Sequence, residues 1–251
     1  MLKTATWNLL LALLISPGFL LASPLQALIM ETEPWGFYNP ETGELQGIWI
    51  DIAEELEAQS GIPQEKRLAP YARVMESLAL GDADLSYLIQ SPDREDEVVH
   101  AGFLFNFGSV VQARSGIKLQ SYEDLRGLRI GVLQGIRLSP EFDQDDDLYK
   151  VPVRNYETQI NMLAAGRLDA LSGNSLSLAY LQEQRQIADL LGDRLVLQVT
   201  PVTVQVSRKS NELNRVEPLT EAVQQLRAEG RIEAILDAWA GDRWRVEEEA
   251  Q

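Results

Sequence analysis

Two segments of this 251-residue chain share one pattern of leucine, glycine and aspartate, and this repeat constrains the fold more than any other feature. They are residues 78–85 (LALGDADL) and 163–170 (LAAGRLDA). In each segment an apolar helical pattern ends on a glycine, which tolerates the left-handed conformation that follows a helix, and an Asp-bearing loop leads into an apolar strand. One copy alone is a common helix-to-strand connection. Two copies at comparable places predict two similar lobes with a cleft between them.

The first 22 residues have the features of a secretory signal peptide. Lys3 is their only charge, the stretch 9–21 is mostly apolar, and small residues stand at Ala22 and Ser23. The apolar stretch is shorter than the ~20 residues that a membrane-spanning helix needs, so we expect cleavage near Ala22 rather than an anchor. The chain has no cysteine, which excludes disulfides and a lipid-modified cysteine. We therefore predict an unanchored periplasmic protein.

Charge and composition argue against several classes of function. The formal net charge of −16 disfavours nucleic acid and anionic lipid as partners, because both are negatively charged. A single histidine and no cysteine leave few ligands for zinc or copper. That histidine, His100, lies in an apolar run and is expected to be packed structure rather than a catalytic base. We expect no metal, no organic cofactor and a monomeric protein.

Strand and helix patterns alternate along the rest of the chain, which predicts an α/β fold with mainly parallel sheets. Ligands of such sheets bind at the carboxyl ends of the strands. The stretch 195–207 has alternating valines and is expected to be a strand that crosses back to the first lobe. Helices predicted at 213–229 and 231–239 would complete that lobe.

With these elements in order, the chain resembles the family 3 extracellular solute-binding proteins, which include periplasmic receptors for polar amino acids. The resemblance covers nearly the whole chain after the signal peptide. Its motifs occur in the family's order at 33–37 (EPWGF), 47–53 (GIWIDIA), 80–84 (LGDAD), 91–94 (SPDR), 124–127 (DLRG) with 129–132 (RIGV), and 165–170 (AGRLDA).

The resemblance implies a type II periplasmic binding protein fold, in which two crossing strands join two lobes that close over a small ligand. Lobe 1 would comprise residues 23–111 and 206–251, and lobe 2 residues 112–205. The implied function is capture of a small polar or anionic solute, amino acid-like or a carboxylate, for an inner-membrane ABC importer.

Several site residues follow from the same resemblance. Arg94 matches the arginine that binds the ligand's α-carboxylate, a task that suits the planar donor fork of a guanidinium. Trp35 and Tyr71 match aromatic rings that line the cleft. Tyr87, on the strand leading to Arg94, is expected to offer its ring or its backbone groups to the ligand. Considered without the resemblance, Arg94 could instead pair with neighbouring surface acids, and the aromatic residues could belong to the core.

Three positions depart from the pattern of amino acid receptors. Ile89 stands where a hydroxyl usually assists the carboxylate, and Ile136 with Arg137 stands where a Ser or Thr usually follows a glycine. Asn174 replaces the Asp that accepts from the ligand's ammonium, and a neutral amide attracts an ammonium far less. These changes favour a small anion without an α-ammonium, held between Arg94 and Arg137. Weak binding of an ordinary amino acid is the alternative.

The sequence is also compatible with other functions on the same scaffold. The protein could be a receptor that informs a sensor without transport, or a cleft that has lost its ligand. The resemblance also extends to periplasmic cyclohexadienyl dehydratases. Such an enzyme would need a buried general acid, for which Glu33 and Glu76 are available, but the leading prediction is a binding protein rather than an enzyme.

Overall fold

The computed structural model describes residues 23–246. The predicted signal peptide, residues 1–22, lies outside this range. The strands are β1 (Leu25–Met30), β2 (Phe37–Tyr38), β3 (Leu45–Gln46), β4 (Gln64–Ala69), β5 (Leu85–Ile89), β6 (Val98–Arg114), β7 (Arg129–Leu133), β8 (Tyr149–Val153), β9 (Ala170–Asn174) and β10 (Leu191–Ser207). The helices are α1 (Ile48–Ser60), α2 (Tyr71–Leu80), α3 (Pro140–Gln144), α4 (Tyr156–Ala164), α5 (Ser175–Arg185), α6 (Val216–Ala228) and α7 (Arg231–Ala240).

Eight of these strands form one sheet in the order β4-β1-β5-β10-β6-β9-β7-β8, and β2 pairs with β3. Lobe 1 is built on the parallel strands β4, β1 and β5, and lobe 2 on the parallel strands β9, β7 and β8. Between them, β6 and β10 are each 17 residues long and pair antiparallel along most of their length. The predicted α/β architecture with two crossing strands is confirmed.

The sequence repeat forms the same αβ connection in both lobes. Gly81 and Gly166 both adopt left-handed backbone conformations after α2 and α4, with φ of 84° and 68°. After each glycine, an aspartate makes two hydrogen bonds to a single residue of the neighbouring strand. Asp84 donates its N–H to the carbonyl of Gln26 and accepts from the N–H of Gln26, and Asp169 makes the same two bonds with Arg129. The aspartate of the repeat therefore sets where adjacent parallel strands begin to pair.

Helix α5 packs on the cores of both lobes. Leu178 lies in one of the apolar clusters of lobe 2, whereas Leu176 and Tyr180 lie in the large cluster of lobe 1. The C-terminal segment also joins the lobes, because Trp244 packs into the lobe 1 cluster and Val246 packs against the lobe 2 cluster. The lobes are thus connected by packed side chains as well as by the two long strands.

Both predicted lobe boundaries, 111/112 and 205/206, fall inside the crossing strands β6 and β10. The exact boundaries stay a prediction. Within residues 23–246, the helices are too short or too polar to cross a bilayer.

Candidate ligand-binding site

The strand ends of the two lobes meet at the middle of the crossing strands. In lobe 1, β5 ends at Ile89, which lies opposite Val202 on β10. In lobe 2, β9 ends at Asn174, which lies opposite Ser109 on β6, and Ser109 in turn pairs with Gln198 on β10. The carboxyl end of β5 lies beside β10, and the carboxyl end of β9 lies beside β6 at the same level of the sheet. The two ends are therefore aligned with positions of β10 that are only a few residues apart. This is the place where α/β folds bind ligands.

Arg94 ends the short helical turn after β5, and its guanidinium is buried, with 8% of the residue exposed. Its Nη2 donates to the carbonyl of Ile89. Its Nη1 donates to the Tyr71 hydroxyl and its Nε to Oε1 of Gln205, each at 3.4 Å. All three acceptors are neutral. They hold the guanidinium in position without neutralising its charge.

The acids next to Arg94 in sequence do not pair with it. Within residues 23–246 the structure has no ion pair between Arg94 and Asp93, Glu95 or Asp96; Glu95 instead pairs with His100 at 3.2 Å. The other ring nitrogen of His100 lies 2.8 Å from the hydroxyl of a residue on β10, Thr203. His100 is therefore half-buried and held on both sides, in agreement with a structural role.

Gln205 is a site residue that the sequence analysis did not identify. It is fully buried, and its Nε2 donates to the carbonyl of Ile89 at 3.1 Å and to Oγ1 of Thr203 at 3.3 Å. The alternating valines of β10 were the available signal, because they place Thr203 and Gln205 together on the opposite, polar face of that strand. Gln205 orients both the guanidinium of Arg94 and the backbone that Arg94 contacts.

Tyr71 and Ile89, the other lobe 1 candidates beside Arg94, are exposed to solvent. Tyr71 is 45% exposed while its hydroxyl accepts from Arg94. Trp35 and Tyr87 are placed differently, because both rings are buried in the core of lobe 1. Each stacks on the ring of Trp49, with centroid distances of 4.8 Å for Trp35 and 5.7 Å for Tyr87. The structure brings Arg94, Tyr71 and Ile89 together and leaves the Trp35 and Tyr87 rings inside.

The two buried aromatic rings use their polar atoms within the protein. The Tyr87 hydroxyl donates to Oε1 of Gln64 at 2.7 Å, and burial raises the pKa of Tyr87 well above its usual range. The indole N–H of Trp35 donates to the hydroxyl of Ser177 on α5 at 3.1 Å. Each ring therefore has its one hydrogen-bonding group satisfied by the fold rather than directed at a solute.

In lobe 2, the loop after β7 exposes the side chains of both residues predicted there, Ile136 and Arg137. Gly135 has a φ of 79°, and the turn that it forms leaves Ile136 56% exposed. Arg137 is exposed and, among residues 23–246, makes neither a hydrogen bond nor an ion pair. The second predicted arginine is thus available to an anionic ligand.

Asn174 is half-buried, and its side chain caps the N-terminus of α5. Its Oδ1 accepts from the backbone N–H of Ser177 at 2.6 Å, and its Nδ2 donates to the Tyr156 hydroxyl at 3.3 Å. Tyr156 lies against Gly173, where any added side chain would collide with its ring, and burial raises the pKa of Tyr156 to about 12. Tyr156 is the second residue near the site that the sequence analysis did not identify.

The fold and the site together define a two-lobed solute-binding protein. Residues 27–242 match the family described as bacterial extracellular solute-binding proteins, family 3, and the chain belongs to this family. Its role is to bind a small solute outside the cytoplasm.

Similar proteins support this assignment at low identity. The chain is 22% identical over 218 residues to the ABC transporter glutamine-binding protein GlnH of Bacillus subtilis (strain 168), covering 83% of this chain and 78% of that protein. It is 20% identical over 223 residues to the probable amino-acid-binding protein YxeM of the same organism, covering 86% and 84%. Among solved structures, it is similar to an ancestral cationic amino acid solute-binding protein, AncCDT-1, with a TM-score of 0.70, 19% identity and coverage of 86% and 95%.

Proposed function

We propose that this protein captures a small carboxylate without an α-ammonium group between its lobes, in the periplasm, and delivers it to an inner-membrane ABC importer. The observation that carries the proposal is the buried guanidinium of Arg94, which has only neutral acceptors within residues 23–246. A buried charge is costly unless it is paired. A ligand carboxylate can accept from its remaining N–H groups and supply the missing charge.

The second lobe supports an anion rather than a zwitterion. Arg137 adds an exposed positive charge that has no ion-pair partner among the described residues, and Asn174 offers an amide whose oxygen already accepts from Ser177. An ammonium group on the ligand would thus meet two arginines and no carboxylate among these site residues. This arrangement disfavours ordinary α-amino acids.

Exposed apolar side chains suggest that the ligand also has a hydrocarbon portion. Three of the seven large apolar side chains that are exposed in residues 23–246 belong to the candidate site, and they are Tyr71, Ile89 and Ile136. A ligand touching both lobes would cover them on closure and stabilise the closed state.

Transport is supported by the family and by the relatives, one of which is named as an ABC transporter binding protein. The alternative within binding is a receptor that informs a sensor without transport. Permease and ATPase genes beside this one would support transport, and a sensor kinase gene in their place would support signalling.

The dehydratase alternative needs a buried carboxylic acid in the cleft. Glu33 is exposed and accepts a hydrogen bond from Tyr180. Glu76 is more than half exposed and pairs with Arg73 at 2.9 Å. Neither carboxyl group has the environment of a general acid, so binding without chemistry is the better supported function.

The test is thermal unfolding of the exported chain, from Ser23 to Gln251, against dicarboxylates, keto acids, prephenate and amino acids. A ligand at 100 times its dissociation constant adds about 2.7 kcal/mol of stability, which gives a measurable shift in Tm. We expect shifts with acids and none with amino acids. Shifts confined to amino acids would contradict the proposal.

Arg94→Gln checks that the shift arises at this site. Removing one partner of a buried, hydrogen-bonded charge pair costs about 2 kcal/mol or more, which is about 30-fold in affinity. Circular dichroism confirms that the variant is folded. Unchanged affinity in a folded Arg94→Gln protein would rule out Arg94 as the carboxylate partner.

A further inference from the structure

A second cavity lies away from the cleft, at the start of β10, the end of α5 and the C-terminal segment, and is called here the rear cavity. Its volume is about 330 Å³, and its polar lining is Gln112, Gln182, Arg194 and Arg243. Gln112 pairs with Leu171 near the beginning of β9, whereas the cleft lies at the end of that strand. The rear cavity is therefore separate from the ligand site.

A chain of hydrogen bonds connects the side chains of the rear cavity. Nη1 of Arg243 donates to Oε1 of Gln182 at 3.3 Å, and Nε2 of Gln182 donates to Oε1 of Gln112 at 3.4 Å. Nε2 of Gln112 donates to the carbonyl of Gly192 at 2.9 Å. Both glutamines are at least nine-tenths buried, so their orientation is fixed by the protein and not by solvent.

Arg194 holds the C-terminal segment across the same cavity. Its two Nη groups donate to the backbone carbonyls of Arg243 and Arg245, the latter at 2.7 Å. A guanidinium has five N–H donors, so N–H groups remain on Arg194 and on Arg243 after these bonds. All acceptors that the two arginines use are neutral.

In the described part of the chain, the two arginines of the rear cavity have no carboxylate partner, although the protein carries a formal net charge of −16. Within residues 23–246 no ion pair involves Arg194 or Arg243, although the neighbouring Arg245 pairs with Asp237 at 2.7 Å. Partial burial lowers the pKa of Arg194, with no nearby acid opposing that effect. Two guanidinium groups and two amides thus line one cavity, and the described residues that line it include no acid.

The geometry points to the rear cavity as a second binding site, one that takes a carboxylate group. Arg243 and Arg194 supply the charge and the paired donors that match a carboxylate, and the free N–H groups of Gln112 and Gln182 add neutral donors. The carboxylate has two possible sources. One is a small free acid, and the other is the run of glutamates at 247–249, which follows the described part of the chain directly in sequence.

The test titrates succinate into the exported, ¹⁵N-labelled chain while NMR follows side-chain N–H signals. The side-chain amide signals of Gln112 and Gln182 report on the rear cavity, and those of Asn174 and Gln205 report on the cleft. Succinamide, the neutral analogue of succinate, is the control ligand. A second protein carries Glu247→Gln, Glu248→Gln and Glu249→Gln, which removes the internal carboxylates and keeps the chain length.

Movement of the rear-cavity signals by succinate and not by succinamide in the natural chain would show that a free carboxylate binds. If the signals move only in the triple-glutamine protein, the chain's own glutamates occupy the cavity, which also supports the proposal. Signals that stay still in both proteins overturn it. Because the cleft has its own reporter, failure of the rear cavity and failure of the proposed cleft function are read separately.

Arg243→Gln is the decisive variant, because Arg243 is exposed and its loss leaves the Arg194 bonds to the backbone in place. We expect the dissociation constant for succinate at the rear cavity to rise at least tenfold. Arg167→Gln removes another exposed arginine and should change nothing. Equal affinity in the Arg243→Gln and Arg167→Gln proteins would overturn the assignment.

Discussion

The indole N–H of Trp35 donates a buried hydrogen bond to the hydroxyl of Ser177, with 3.1 Å between nitrogen and oxygen. Trp35 follows the first strand of lobe 1, and Ser177 lies in the first turn of α5, directly after the last strand of lobe 2. The Tyr180 hydroxyl makes a second bond of this kind, to the Glu33 carboxylate. Polar contacts therefore join the loop 33–35 to α5, the helix that packs on both cores.

This relationship predicts a measurable coupling between Trp35 and Ser177. Trp35→Phe also shrinks a buried ring, so its effect alone is ambiguous, but a double-mutant cycle with Ser177→Ala cancels that contribution. We expect a coupling of about 1 kcal/mol in the free energy of unfolding, measured in urea, which is typical of one buried hydrogen bond. The pair Tyr122→Phe with Ser177→Ala is the control and should be additive, because Tyr122 packs against a separate apolar cluster of lobe 2. Additivity of the Trp35 pair would show that the bond contributes nothing.

Arg137→Ala should weaken binding of an acidic ligand by about tenfold, because an exposed charge that is covered on closure contributes on the order of 1 kcal/mol. Calorimetric titration measures this change. Arg167→Ala is the matched control, since Arg167 is an exposed arginine of lobe 2 at the opposite end of β9. If Arg137→Ala binds as tightly as the control, the ligand is not held between Arg94 and Arg137.

Asn174→Asp should shift preference from acids toward α-amino acids. Aspartate caps a helix as well as asparagine does, so α5 should keep its first turn while the site gains a negative charge. We expect about tenfold weaker binding of acids and new, measurable binding of amino acids. Asn174→Ser preserves the helix cap without adding charge, so it should neither weaken the binding of acids nor create binding of amino acids. Equal specificity in the Asp and Ser variants would exclude position 174 from ligand selection.

The Asp169–Arg129 pair predicts acid sensitivity of lobe 2. Hydrogen bonds from Arg129 lower the pKa of Asp169 to about 2. Because the folded-state pKa lies below the unfolded value, this stabilisation is complete above about pH 4 and is lost as the pH falls toward 2. Asp169→Asn should reduce stability near neutral pH by on the order of 1 kcal/mol and flatten the stability profile between about pH 4 and pH 2.

Urea unfolding at several pH values measures the Asp169 effect. Asp147→Asn is the control, because Asp147 is an exposed acid whose nearest arginine nitrogen, on Arg126, is 3.8 Å away. A profile for Asp169→Asn that parallels the natural protein through this pH range would show that the ion pair does not contribute.

The repeat was the most informative part of the sequence, because its chemistry is local. A glycine after a helix and an aspartate before a strand each act within a few residues, and Gly81, Asp84, Gly166 and Asp169 have equivalent roles in the structure. The α/β order and the crossing strand β10 could be predicted for the same reason. Strand β8 and the full length of β6 were not predicted.

Site residues were harder to predict because they depend on contacts distant in sequence. Arg94 is held by Gln205, 111 positions away; the sequence predicts that this strand crosses back to the first lobe, but it does not show which of its residues comes to lie beside Arg94. The rings of Trp35 and Tyr87 both stack on Trp49 in the core. In the sequence, an isolated aromatic residue carries no signal that separates a core position from a cleft position. Burial of such residues is settled by tertiary packing.

The proposed cleft binds a carboxylate and disfavours an α-ammonium. Its most direct test is calorimetric titration of the exported protein with matched pairs, succinate with aspartate and glutarate with glutamate. The members of each pair differ only by the amino group. We expect the acid without the ammonium to bind at least tenfold more tightly in the pair that fits the cleft. Tighter binding of the amino acid would contradict it.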